Sequence, residues 1–108
     1  MIEKWRALST DKKILNLAAE LSRAKSWLIR HDSVAADLCL ERALELVDLT
    51  IETEAGKGRL SFIREFLRFR EMLAGFYLDS TKNGQDLPAL FKSLLNLNSA
   101  THSLHLEF

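Results

Sequence analysis

Residues 34–54 read VAADLCLERALELVDLTIETE. At about 100° per residue, Ala36, Leu40, Ala43, Leu44, Val47 and Ile51 fall on one stripe at i, i+3, i+4 spacing, the pattern of a helix with one buried side. Asp37, Glu41, Glu45, Asp48 and Glu52 recur at steps of 4, 4, 3 and 4 and occupy a second stripe within about 80° of arc. Leu38, Cys39, Leu46 and Leu49 widen the apolar side, so this central helix is expected to have neighbours on two flanks.

Downstream, Ala55-Gly56-Lys57-Gly58 ends the central helix, its glycines suited to turn or left-handed backbone. The next helix is predicted over residues 59–78. It carries one seam of Phe62, Phe66, Phe69, Leu73 and Phe76 and a second of Ile63, Leu67, Ala74 and Tyr77, with Arg70 in the middle of the apolar arc. Residues 80–85, with Asn83-Gly84, signal a turn. Pro88, in a first turn where its missing N–H costs little, opens a last helix over residues 87–98 with Leu87, Leu90, Phe91, Leu94 and Leu97 inward. The polar, helix-poor residues 99–108 are expected to fray or to dock only partly.

Upstream, Arg30-His31-Asp32-Ser33 forms a turn, with Asp32 or Ser33 capping the central helix. The helix before it is predicted over residues 11–30, after a Ser9 or Thr10 cap with Asp11 at the positive end of the dipole. Its seam is Ile14, Leu17, Leu21, Ala24 and Leu28. A flanking ridge of Leu15, Ala19, Ser22 and Ser26 is small enough to admit a second helix closely. Trp27 lies about 100° from the seam's centre, beside Glu20 and Arg23. Residues 1–8 form an arm whose Ile2, Trp5 and Leu8 dock on a neighbour or on a partner. Four amphipathic segments joined by short turns predict a single all-α domain over residues 1–108, an up-down four-helix bundle with a short N-terminal arm.

Composition agrees with that class. The 108 residues are 47% apolar and 28% charged, with four glycines and one proline. The net charge of zero hides an asymmetry: +4 over residues 1–31, −6 over 32–56, +4 over 57–70 and −2 beyond. Complementary helices within one bundle account for it. A nucleic-acid binder would need one coherent basic face on a basic domain, and the pI is about 6.8. No apolar run approaches the roughly 20 residues that span a bilayer. With no secretory h-region in MIEKWRALSTDKK and Cys39 as its single cysteine, the chain is expected in a reduced, cytoplasmic setting.

Chemistry-bearing motifs are wanting. No Glu-x-x-His pair offers a dimetal site. His102 and His105 are two ligands on a tail, a poor metal site. Gly56-Lys57-Gly58 is a turn rather than a phosphate cradle. Cys39 sits on an apolar flank with no base signalled nearby, and reads as an inert core thiol. The acidic stripe reads as a solvated face neutralised by Lys and Arg of neighbouring helices. The expectation is therefore a non-enzymatic protein without cofactor or metal. Trp27, Arg70, Tyr77 and Trp5 are the candidate partner-binding side chains: Trp is enriched in interface hot spots, and a charge inside an apolar arc is paired, snorkels or faces a groove. An internal, buried Arg70 pair with an acid of the central helix would cost about 3–5 kcal/mol to break.

The order of elements resembles the flagellin-specific export chaperones of the FliS family. Ser9-Thr10-Asp11-Lys12-Lys13-Ile14-Leu15 is similar to that family's small-polar, Glu-Lys-Leu opening of its first long helix. Ala24 to Ile29 followed by His31-Asp32 resembles its "Ala…Ile…Asp" helix end. Arg42-Ala43-Leu44-Glu45-Leu46-Val47 looks like its "Lys-Ala-x-x-Ile-Ile" centre, and the Gly56–Gly58 turn and the Leu60–Leu73 run are similarly placed. The family's Leu-Tyr is Leu17-Ala18 here, and the first long helix is about one turn shorter. The resemblance implies a chaperone-like module that holds an apolar segment of a flagellin-type export substrate. The alternative is a structural or regulatory homo-oligomer that pairs its surplus apolar faces with a second copy.

Overall fold

The computed structural model describes residues 2–82 and 84–97. Among these residues there is helix and turn and no strand: α1 (Ile2–Ala7), α2 (Thr10–Ile29), α3 (Ser33–Ala55), α4 (Leu60–Leu78) and α5 (Leu87–Leu95). The bounds of α2, α3 and α4 fall within one residue of expectation. α5 ends earlier than expected, because the chain turns at Asn96 and Leu97. The expected frayed tail, with His102 and His105, lies outside the described residues, as does Asn83.

Local signals place the ends. Ser9 accepts the Lys12 N–H on its hydroxyl and caps α2. At the other end His31 adopts φ 60°, the Asp32 N–H donates to Trp27 O at 2.9 Å and the His31 N–H to Leu28 O at 3.0 Å. This is the paired-bond helix stop that a left-handed residue allows. Asp32 then caps α3, its Oδ1 accepting the Ala35 N–H at 3.0 Å. One short turn thus closes α2 and opens α3, which makes the two helices antiparallel neighbours. Gly58, at φ 71°, supplies the left-handed residue between α3 and α4.

Around the bundle, α2 packs on α3, α3 on α4, α4 on α5, and α5 back on α2. Cross-helix pairs confirm the up-down sense: Lys13 of α2 meets Glu54 of α3, while Asp48 and Asp37 of α3 meet Arg70 of α4 and Lys82 beyond it. The core holds the expected seams. Ile14, Leu17, Leu21 and Ala24 of α2 lie against Leu40, Ala43 and Val47 of α3, with Phe62, Phe66, Phe69 and Leu73 of α4. Phe66 meets Phe62 and Phe69 with ring centroids 5.2 and 6.1 Å away, spacings at which tilted and edge-on rings attract.

Three expectations are corrected. The arm is itself helical, as α1, and it lies on α3. Among the described residues the ridge of Leu15, Ala19, Ser22 and Ser26 meets no second helix: Leu15, Ser22 and Ser26 are exposed and Ala19 is half-buried, since the faces of α2 that bury are those turned to α3 and α5. The second seam of α4 is half-covered, with Leu67 46% exposed.

Candidate functional site

Polar chemistry collects at three places. The first is internal and was missed from the sequence. Lys13 and Glu54 are fully buried, with Lys13 Nζ 3.1 Å from Glu54 Oε1 and donating to Thr53 Oγ1 at 2.9 Å. Thr10 donates to the same carboxylate oxygen at 3.0 Å. Glu54 Oε2 takes no hydrogen bond from the described residues and lies 3.6 Å from Arg59 Nη1. Burial alone would raise the Glu54 carboxyl, but the bonds from Lys13 and Thr10 and the charges of Lys13 and Lys57 override it and hold it below its ordinary value. The signal was present: Thr50 and Glu54 continue the stripe Leu40, Ala43, Val47 at steps of 3 and 4, and Lys13 continues Leu17, Glu20 and Ala24.

Trp5 belongs to this end of the molecule. Of its two expected roles, docking on a neighbour is the one realised: it is 7% exposed and donates its indole N–H to Thr50 Oγ1 at 2.9 Å. Thr50 in turn donates to Leu46 O. A buried, bonded indole offers a partner no surface.

The second place is the α3–α4 face. Arg70 is paired with an acid of the central helix, as one expectation had it, but at the surface. Its Nε donates to Asp48 Oδ1 at 2.6 Å and its Nη2 to Oδ2 at 3.4 Å, with the two side chains 40% and 55% exposed. Tyr77, two turns along α4, is half-buried; partial burial, then the nearby carboxylates of Glu41 and Asp37, push its phenol up. Lys82 Nζ donates to the carbonyls of Tyr77 and Asp79 at the negative end of α4 and lies 3.0 Å from Asp37 Oδ1. Asp37 and Asp48 of the acidic stripe are thus neutralised by neighbouring cations.

The third place carries Trp27. Glu20, Arg23, Trp27 and Arg30 follow one another at steps of 3, 4 and 3 along α2, on one face. Glu20 is buried, bonded to Arg23 Nη1 at 2.6 Å and 3.8 Å from Arg42 Nη1 of α3. Glu20, Arg23, Leu38, Cys39 and Arg42 line a recess of about 200 Å³ between the two helices. Arg30 stacks on the Trp27 ring at 5.4 Å. Cys39, expected as a core thiol, is half-buried at this recess. Burial first, then the Glu20 carboxylate, raise its thiol, while Arg23 and Arg42 partly offset them.

The four candidates of the sequence therefore separate. Arg70 and Tyr77 share the α3–α4 face, Trp27 shares the face of α2 whose Glu20 and Arg23 line the α2–α3 recess, and Trp5 is internal. No group of three or more His, Cys, Asp or Glu that would hold a metal occurs among the described residues, and none of their helices is long and apolar enough to cross a membrane. No family model, curated protein or solved structure matches the chain.

Proposed function

We propose that this chain is a non-enzymatic protein-binding bundle of the cytoplasm, a chaperone-like module that holds an apolar segment of a partner protein. The observation that carries the reading is the apolar surface left at the α2–α3 end: Val34 and Leu38, 72% and 63% exposed at the start of α3, and a half-buried Trp27 near the end of α2. Aromatic and Arg anchors with exposed aliphatic neighbours are what interface cores use, and clustered exposed apolar groups mark protein contacts. The resemblance to flagellin export chaperones supports an export substrate as the partner class.

A second reading, a structural or regulatory homo-oligomer, is favoured by one feature: the half-covered seam of α4, where Leu60 and Leu67 are exposed beside Ile63 and Ala74. Size-exclusion chromatography with light scattering, alone and after mixing with proteins encoded beside it, separates the two. A monomer that forms a stoichiometric heteromeric complex is expected. A dimer that persists on dilution and takes no other chain would overturn the module in favour of the oligomer.

A further inference from the structure

The groove between α2 and α3 is covered at one end and open at the other. Cys39, Leu46, Thr50 and Thr53 lie on one stripe of α3, at steps of 7, 4 and 3. Thr53 meets Lys13 of α2 and Thr50 meets Trp5 of α1, so this stripe borders α2 and α1 lies along its C-terminal half. Its N-terminal half is the recess of Glu20, Arg23, Leu38, Cys39 and Arg42. α1, with Trp5 as its aromatic anchor, already covers the C-terminal half of this stripe of α3, and the recess lies further along the same stripe.

The open half has a definite charge. Arg23 and Arg42 share one buried carboxylate, Glu20, yet their side chains are 58% and 68% exposed. Each guanidinium has five N–H donors, and one carboxylate cannot occupy both forks. Arg30, exposed over Trp27, adds a third cation. Among the acids, Asp32 spends Oδ1 on the cap of α3. Asp37 and Asp48 face α4 through Lys82 and Arg70, and Glu41 stands by Tyr77. Of the central helix's acids, Asp37 and Asp48 pair with cations of α4 and beyond it and Glu54 pairs with Lys13 at the covered end, while Arg42 turns towards α2.

We propose that the open half of the α2–α3 groove docks an acidic segment of a partner protein, laid end to end with α1, with apolar anchors on Trp27 and Leu38 and carboxylates on Arg23, Arg30 and Arg42. This rests on the protein-binding reading above and gives it a location and a partner chemistry. A peptide suits the groove better than a nucleic acid. Exposed Leu38 stands among the cations of the recess, and the acidic stripe of the same helix would repel a polyphosphate at close range. A segment of about fourteen residues, roughly 21 Å if helical, spans the open half.

The test uses dye-labelled peptides of that length on the full chain: one patterned with Leu and Glu, one with Lys for every Glu, and a single-stranded oligonucleotide. Fluorescence anisotropy should show the Glu peptide binding at least ten-fold more tightly than the Lys peptide or the oligonucleotide. Saturating Glu peptide should slow maleimide labelling of Cys39. Leu38→Ser, and separately Arg23→Gln with Arg42→Gln, should each weaken binding about ten-fold or more, whereas Arg64→Gln with Arg68→Gln on α4 should not. Leu38 is exposed, so its variant folds even if removing both arginines around buried Glu20 does not. No binding of the Glu peptide at millimolar concentration, equal binding of the two peptides, tighter binding of the oligonucleotide, or unprotected Cys39 would each overturn the assignment. A heteromeric complex that forms and is unmoved by the Leu38 and arginine changes would sink this groove and leave the binding role standing; absence of any heteromeric complex removes both.

Discussion

Lys13 Nζ lies 3.1 Å from Glu54 Oε1, across 41 residues of sequence, and neither side chain touches solvent. Removing one partner strands the other. Lys13→Met should cost about 3 kcal/mol, since breaking a buried pair leaves an uncompensated charge. The double change Lys13→Met with Glu54→Leu should recover most of that, because well-packed apolar groups replace a buried pair at little cost. Urea unfolding of the three proteins checks both. A Lys13→Met protein as stable as the parent would show that half-exposed Lys57 and Arg59 already neutralise Glu54.

The same carboxylate sets a pH dependence. Its folded-state pKa lies below the ordinary 4.5, so the folded state releases that proton more readily than the unfolded chain. The stability it contributes is present above pH 4.5 and is lost as pH falls through the folded value. Unfolding free energy measured from pH 7 down to 3 should drop below pH 4.5. In Glu54→Gln that part of the drop should be missing; parallel curves would exclude Glu54 as its source.

The Arg70–Asp48 pair lies in solvent despite its short bond. Exposed pairs contribute about 0.2–1 kcal/mol, so Arg70→Leu should shift stability by no more than that, and by less in high salt. Thermal melts at low and high salt read it out. A loss of about 3 kcal/mol would mean that the pair behaves as buried.

Cys39 should label slowly with maleimide at neutral pH and faster in denaturant, because its raised pKa keeps the thiolate scarce. Native labelling should accelerate above pH 9, the ordinary value it exceeds. Rapid native labelling at pH 7 would contradict this.

His31 holds φ 60° without glycine's freedom. Left-handed backbone costs such a residue about 1–2 kcal/mol, against about 0.5–1 kcal/mol for the extra freedom glycine loses on folding. His31→Gly should therefore stabilise the chain by about 0.5–1 kcal/mol in urea unfolding; a destabilised variant would show that the imidazole makes a compensating contact.

Helix positions, turn chemistry and buried seams were legible because each is local. The 3.6-residue period of Val34–Glu54 tells which side chains share a face, and Ser9, Asp32 and Gly58 supply caps and turns from their own side chains or backbone freedom. That period fixes an angle about one axis and says nothing of what lies opposite. Leu15 and Leu67 read as apolar ridges, and only the order of packing left them half-open. Trp5 read equally as docking on a neighbour or on a partner, and the folding of α1 onto Thr50 decided between them. Glu20 and Arg23 share a helix face, yet the recess they form needed Arg42 and Leu38 from α3. Lys13 and Glu54 occupy core positions in their own stripes, but a buried charge is tolerable only beside its counter-charge, and tertiary packing alone brought the two ends of α2 and α3 together.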